Sequence, residues 1–170
     1  MLIDRIEARQ NPTKHTLVAL VENKPGVLNR VASLFRRRNF NIESLAVGMT
    51  DDPSVSRMTI VIDASKTNAA LVERNLQKVV NVIDVYDLTS GLSVTVELSL
   101  IKVAVEDSQK RGEVKNLADM FGGRIVDVSP KSMILELTGD ETKTDAALKV
   151  LADYGVLEVV RTGKVAMARG

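Results

Sequence analysis

The segment of this chain best suited to holding a small ligand is Asn23-Lys24-Pro25-Gly26-Val27-Leu28, where an apolar strand gives way to a glycine-containing loop and then a helix. The first turn of a helix leaves backbone N–H groups without intrahelical acceptors. It also carries the positive end of the macrodipole, and the two together attract a carboxylate. Gly26 has no Cβ, so a ligand can come close to the backbone there. Asn23 offers an amide oxygen to an ammonium, and Asn41 stands at the start of the next strand. The apolar Val27, Leu28 and Ile42 suit an aliphatic side chain. The same composition also makes an ordinary strand-to-helix turn, and the residues alone leave both readings open.

Other reactive groups are few. The chain has no Cys and no Trp, and His15 is its one histidine. Disulfides, a thiolate nucleophile and a Cys-based zinc site are thereby excluded. Asp51 and Asp52 are neighbours in a predicted hairpin loop, where carboxylates face water and shape a turn. Arg36-Arg37-Arg38 falls at a helix C-terminus, where cations offset the macrodipole. Gly122-Gly123-Arg124 follows a helix and precedes a strand, the reverse of a phosphate loop. No nucleophile, base and orienting group converge, so the sequence predicts a chain that is not itself an enzyme.

The elements that must position the loop follow from periodicity. Thr16–Val21 reads as a strand, and Val27, Leu28, Val31, Leu34 and Phe35 share one face of a helix that stops at Asn39. Pro25 suits that helix's first turn. Asn41–Thr50 alternates Leu45, Val47 and Met49 against Ser44, Ala46, Gly48 and Thr50. Val55–Ile62, a helix from Asn68 to Val80 and the strand Val82–Leu88 complete the half. The order β-α-β-β-α-β is the split βαβ of ferredoxin-like folds.

After the small, flexible Thr89-Ser90-Gly91 the order repeats. Val94–Val105 is a strand, and Val114, Leu117, Ala118 and Phe121 line a helix. Ile125–Ser129 and Met133–Leu137 form a hairpin, and Val156–Val160 is the last strand. Between these, Thr142 and Asp145 resemble a capping box for a helix carrying Leu148 and Leu151. The fold class expected is α+β, with two tandem ferredoxin-like (βαββαβ) domains. An N-terminal extension covers residues 1–14, a first domain carrying the ligand-suited loop 15–89 and a second domain 90–170. Small Ala46 and Gly48 on the outer face of the second strand permit a neighbour to approach, so an oligomer is expected.

Composition narrows the partners. The 170 residues include 23 Lys and Arg against 22 Asp and Glu, a formal net charge of +1. That balance argues against general nucleic-acid binding, which needs surplus cations. No apolar run approaches the roughly 18–20 residues needed to span a bilayer. The N-terminus also lacks the apolar core of a signal peptide. A soluble, cytoplasmic chain without membrane or nucleic-acid partners is the expectation.

Thr16-Leu17-Val18-Ala19-Leu20-Val21-Glu22-Asn23-Lys24-Pro25-Gly26-Val27-Leu28 resembles the opening of an ACT domain, the amino-acid-sensing module. Asn39-Phe40-Asn41-Ile42-Glu43-Ser44-Leu45, Thr50-Asp51-Asp52-Pro53 and Ser56-Arg57-Met58-Thr59-Ile60 are narrower. They resemble the regulatory (small) subunit of acetohydroxyacid synthase, also called acetolactate synthase. Glu97–Val103, Gly123–Val128 and Glu158–Gly163 fit the same family. The likeness runs through nearly the whole chain after about residue 13.

This resemblance implies that the chain activates a separate catalytic subunit and confers feedback inhibition by a branched-chain amino acid, commonly valine. It implies no cofactor on this chain; thiamine diphosphate, magnesium and FAD belong to the catalytic subunit. It further implies that the effector lies between two ACT domains of a dimer or higher oligomer. By motif the effector residues are Asn23, Gly26, Val27, Leu28 and Asn41, with Ile42 beside them. Two departures are Lys24-Pro25 before the glycine and Gly48-Met49 at a variable position, and Leu45 to Met49 is the stretch expected to tune effector choice. The alternative is an ACT-type sensor controlling another enzyme or transcription. A transcription factor would need a DNA-binding element and a basic face, and a nickel-type sensor would need histidines that are missing.

Overall fold

A computed structural model describes residues 14–65 and 68–170. The expected extension over 1–14 lies outside the described residues except for Lys14, which opens the first strand. In the first half β1 (Lys14–Glu22), α1 (Val27–Arg38), β2 (Ile42–Met49), β3 (Val55–Asp63), α2 (Ala69–Leu76) and β4 (Val82–Asp87) follow in order. The sheet order is β2-β3-β1-β4, with every neighbouring pair antiparallel. Period-two alternation sends Leu17, Ala19 and Val21 to the same face as Met58, Ile60 and Ile62. Both helices cover that face, α1 with Val27, Val31, Leu34 and Phe35, α2 with Ala69, Val72 and Leu76. Burying each of the large aliphatic or aromatic side chains is worth about 1.5–3 kcal/mol.

Helix α1 ends where expected. Asn39 is left-handed at φ 55°, and the N–H of Phe40 returns to Phe35 O at 3.0 Å. The Phe40 ring then meets Phe35 edge-on, with centroids 5.9 Å apart. Helix α2 stops at Leu76, short of the expected Val80. The N–H groups of Lys78 and Val79 reach back only three residues, to Asn75 and Leu76, which tightens the chain out of the helix. Val79 still packs on the core, while Val80 is 90% exposed. On β2, Leu45 packs inward as read from the sequence, but Val47 and Met49 lie open on the same face, 48% and 70% exposed.

The second half repeats the pattern with β5 (Ser93–Ala104), α3 (Ser108–Met120), β6 (Arg124–Val128), β7 (Ser132–Gly139), α4 (Glu141–Leu151) and β8 (Val156–Arg161). Its order is β6-β7-β5-β8, matching the first sheet strand for strand. Two tandem ferredoxin-like folds are thus present. Gly123 is obligatory between α3 and β6, because a Cβ there would lie 2.8 Å from Glu136 O. The capping-box reading of α4 is corrected: Asp140 is the cap, accepting from the N–H of Lys143 at 2.9 Å. Asp145 is buried instead, paired with Arg161, whose other nitrogen lies 3.4 Å from the buried Glu97.

The described residues form two compact units. One runs to Thr95 and resumes at Gly163–Gly170, and the other is Val96–Thr162. The expected division at Thr89-Ser90-Gly91 falls before this one, and the C-terminal segment belongs to the first unit. That segment contains β9 (Val165–Ala168), which pairs with β5 and lies beyond the last strand expected from the sequence. Ala166 packs with Val18, Leu88 and Tyr86 on the face of the first sheet away from the helices.

Two tests follow from the packing. Arg161→Met strands Glu97 and Asp145 as uncompensated buried carboxylates, so a loss of about 3–5 kcal/mol is expected in urea unfolding at neutral pH. A loss under about 1 kcal/mol would show that the ion pairs contribute little, as exposed pairs do. The second test concerns Asp87 at the β4 end. Burial pushes its carboxyl up, but the Thr89 hydroxyl and N–H, with His15 Nδ1 2.9 Å away, outweigh burial and hold it below the usual range. A depressed pKa means stability present above the unfolded value, about 3.9, and lost as pH falls through the folded one. Asp87→Asn is therefore expected to destabilise at pH 7 and to match the parent in acid below both values. An equal deficit at both extremes would refute this.

Candidate effector-binding site

The loop after β1 is a built turn. The N–H of Val27 bonds to Lys24 O at 3.3 Å, and Gly26 has φ 84° and ψ −7°. Those are the angles of the third residue of a type II turn, a position that favours glycine, with proline favoured before it. Pro25 therefore belongs to the turn, two residues ahead of the helix, and not to its first turn. Helices α2, α3 and α4 are capped by the side chains of Asn68, Asp107 and Asp140. Helix α1 begins at Gly26 with no side-chain cap. A Cβ built on Gly26 meets nothing within 4 Å, so the space before this helix start is open.

A polar brace holds the turn. The N–H of Glu22 bonds to Asn81 O at 2.9 Å, and the Asn81 side chain joins the Glu22 carboxylate to Arg30 of α1. Lys24 Nζ lies 3.1 Å from Glu22. The Asn81 hydrogen bond, then the Lys24 ammonium, draw the Glu22 carboxyl below its ordinary range. Asn23 donates its amide nitrogen to Pro53 O at 2.9 Å. Pro53 belongs to the β2–β3 loop, shaped by Asp52 accepting from the N–H and hydroxyl of Ser54. Asp52 thus has a turn-forming role, with Ser54 holding its carboxyl below the usual value.

The six expected site residues do not meet within one chain. Asn23, Gly26 and Leu28 are exposed at one end of the sheet. Val27 is 3% exposed and packs in the core, so its side chain is structural. Asn41 is exposed at the opposite end, donating to Glu43 at 2.7 Å, and Ile42 is packed against the core. Register fixes the separation. Ile42 pairs with Ile62 beside His15, whereas Met49 pairs with Ser56 beside Val21. Seven strand residues at about 3.3 Å each put the ends about 23 Å apart. The open Val47 and Met49 lie at the Gly26 end, joining Leu28 as exposed apolar side chains. Alternation puts those two on the face of Leu45, and they fall within the variable stretch Leu45 to Met49.

Among the described residues no cluster of three or more His, Cys, Asp or Glu is placed to hold a metal ion. No helix among them is long and apolar enough to cross a membrane.

Tandem ferredoxin-like units, the first with an uncapped helix behind a glycine turn, define a two-domain α+β protein of the ACT type. Residues 17–84 match the family model for the AHAS small subunit-like ACT domain, and 96–170 match that for the small subunit of acetolactate synthase. A probable acetolactate synthase small subunit of Archaeoglobus fulgidus is 52% identical over 157 residues, 92% of this chain and 98% of that one. The acetolactate synthase small subunit of Mycobacterium bovis is 46% identical over 160 residues, 94% of this chain and 95% of its own. The crystal structure of the Thermotoga maritima acetolactate synthase small subunit superposes with a TM-score of 0.82 at 39% identity. That likeness covers 92% of this chain and 98% of that one. The chain belongs to the acetolactate synthase small-subunit family.

The turn generates its own test. Because Gly26 is left-handed with open space in front of it, substitution there is penalised by conformation and not by collision. Gly26→Ala is expected to cost about 1–2 kcal/mol of unfolding free energy. Gly26→Asn should cost less, since Asn visits that region more readily. Equal stability of Gly26→Ala and the parent in a denaturant titration would rule out the type II turn.

Proposed function

We propose that this chain is the regulatory subunit of acetolactate synthase, activating a separate catalytic subunit and conferring feedback inhibition by a branched-chain amino acid, with valine as the effector. The observation that carries the effector site is the pairing geometry of β2. It is the edge strand of its sheet, with Asn41 at its head and the Gly26 turn at the level of its tail. Two chains joined antiparallel along β2 would bring each chain's Asn41 to the other's Gly26 turn. The effector carboxylate then meets the uncapped start of α1, and its ammonium the Asn oxygens. Its aliphatic side chain lies against Leu28, with Val47 and Met49 at hand. The chain itself forms no acetolactate in this reading, and the thiamine diphosphate, magnesium and FAD of the reaction are carried by its partner.

The test separates charge from shape at Gly26. Gly26→Asp and Gly26→Asn add side chains of nearly equal size, but only aspartate sets a second negative charge beside the ligand carboxylate. Like charges at about 4 Å repel by about 4 kcal/mol at an effective dielectric near 20, equivalent to about a thousandfold in affinity. In a reconstituted holoenzyme titrated with valine, Gly26→Asp is expected to abolish inhibition while activation persists. Gly26→Asn should only weaken it. Wild-type valine sensitivity in Gly26→Asp would move the site away from this turn. Sedimentation should report at least a dimer, and a monomer that binds valine with full affinity would sink the shared site.

A further inference from the structure

The face of the first sheet away from its helices is covered in part by the chain's own end. Gly163 lies so close to β2 that a Cβ built on it would collide with Leu45 O, lie 2.6 Å from the carbonyl carbon of Leu45 and 2.9 Å from Ala46 N. These are backbone atoms that cannot swing aside, so the position admits glycine alone. The next N–H, of Lys164, donates to Ser44 Oγ at 3.0 Å. From the adjoining β3, Arg57 donates Nη2 to Ala166 O at 2.7 Å and Nη1 to the Tyr86 hydroxyl at 2.6 Å. Ala166 is 4% exposed against the fully buried Val18, and the N–H of Arg169 closes on Leu92 O at 2.8 Å. All of these residues belong to the first compact unit.

We propose that Gly163 and Arg57 are positioning residues for the effector site. In this assignment residues 163–168 form a strap that sets where β2 lies, and with it Asn41 and Ile42 at the strand's head. The assignment rests on the effector reading given above. As an edge strand β2 is held to its sheet on one side only, through β3. Its register is also broken between Ile42 and Ser44, just where the site residues begin. The strap grips Ser44, Leu45 and Ala46, the residues immediately after that irregularity. A shift there has only Ile42 and Glu43 to cross before it reaches Asn41. Displacements of about 1 Å are enough to spoil a ligand's hydrogen bonds. The strap thus acts on valine recognition without touching the ligand.

The experiment uses the full chain with its catalytic subunit. Gly163→Ala, Gly163→Val, Arg57→Met, Arg57→Lys and a chain ending at Thr162 are each titrated with valine, and activation without valine is measured alongside. Valine binding to the regulatory chain alone is read by calorimetry. The valine midpoint is expected to rise by about tenfold or more in Gly163→Val and the shortened chain. Gly163→Ala and Arg57→Met should fall between these and the parent, with activation retained throughout. Arg57→Lys, which keeps a donor, should recover part of the loss, and a peptide of residues 163–170 should restore the response of the shortened chain. Parental valine midpoints in Gly163→Val, Arg57→Met and the shortened chain would overturn the strap alone. Activation and circular dichroism collapsing together with the valine response in every variant would make these residues merely structural, and also overturn it. A parent chain that ignores valine would overturn the effector reading first, and this one with it.

Discussion

Strands β1 and β2 run parallel with β3 between them, and that one constraint organises the first unit. Parallel strands cannot be joined by a tight turn. The chain leaving β1 at Glu22 must be carried back along the whole sheet before β2 starts at Ile42, and α1 is the return path. Its start therefore stands at one end of the sheet and its exit, Asn39, at the other. The Gly26 turn and Asn41 are the two ends of a single crossover. No side-chain rearrangement within one copy can unite them, so a site using both would have to draw on a second copy.

The start of α1 gives up something its counterparts keep. Against the Asn and Asp caps of α2, α3 and α4, the Gly26 cap of α1 gives up roughly a few tenths of a kcal/mol. Helix α1 instead relies on its buried stripe of Val27, Val31, Leu34 and Phe35 and on the link from Arg30 through Asn81 to Glu22. That link anchors the helix's first turn to the end of β1 from behind, while the Val27 N–H is taken up by Lys24 O in the preceding turn. The type II turn also keeps Gly26 free of neighbours, with nothing within 4 Å of an added Cβ. Rigidity is supplied from behind the turn, and openness is kept in front of it.

Period and turn chemistry were enough to read both βαββαβ orders, the Asn39 stop and a glycine loop between β1 and α1, because each depends on residues close in sequence. Part of what escaped the reading depends on partners far away, and part on local turns that periodicity does not resolve. Asp145 sits where a capping residue would, but its partner, Arg161, lies across the core. Val80 continues the apolar stripe of α2 in sequence, yet the chain has already turned out of the helix. Val47 and Met49 alternate as core residues do and remain open, since alternation specifies a face and not whether that face is covered along its whole length. The candidate site residues can be picked out singly, by type and motif. Their separation cannot be read that way, because it is set by strand register.

The small residues of β2 carry the same lesson to the other face of the sheet. Ala46 and Gly48 suggest that another backbone comes close, and period alone cannot say whose. At Ala46 the neighbour is the chain's own Gly163, folded back from the far end of the sequence. At Gly48 an added Cβ meets nothing within 4 Å, so that position stays open. One stripe thus serves two purposes, an internal contact near the head of β2 and free space near its tail. The helix-free face is the one a lone ferredoxin-like sheet leaves bare, and in the first unit part of its cover comes from a segment far outside the βαββαβ run. A fragment cut at the predicted domain boundary would lose that cover and expose Val18. It would be a different physical object from the effector domain of the intact chain.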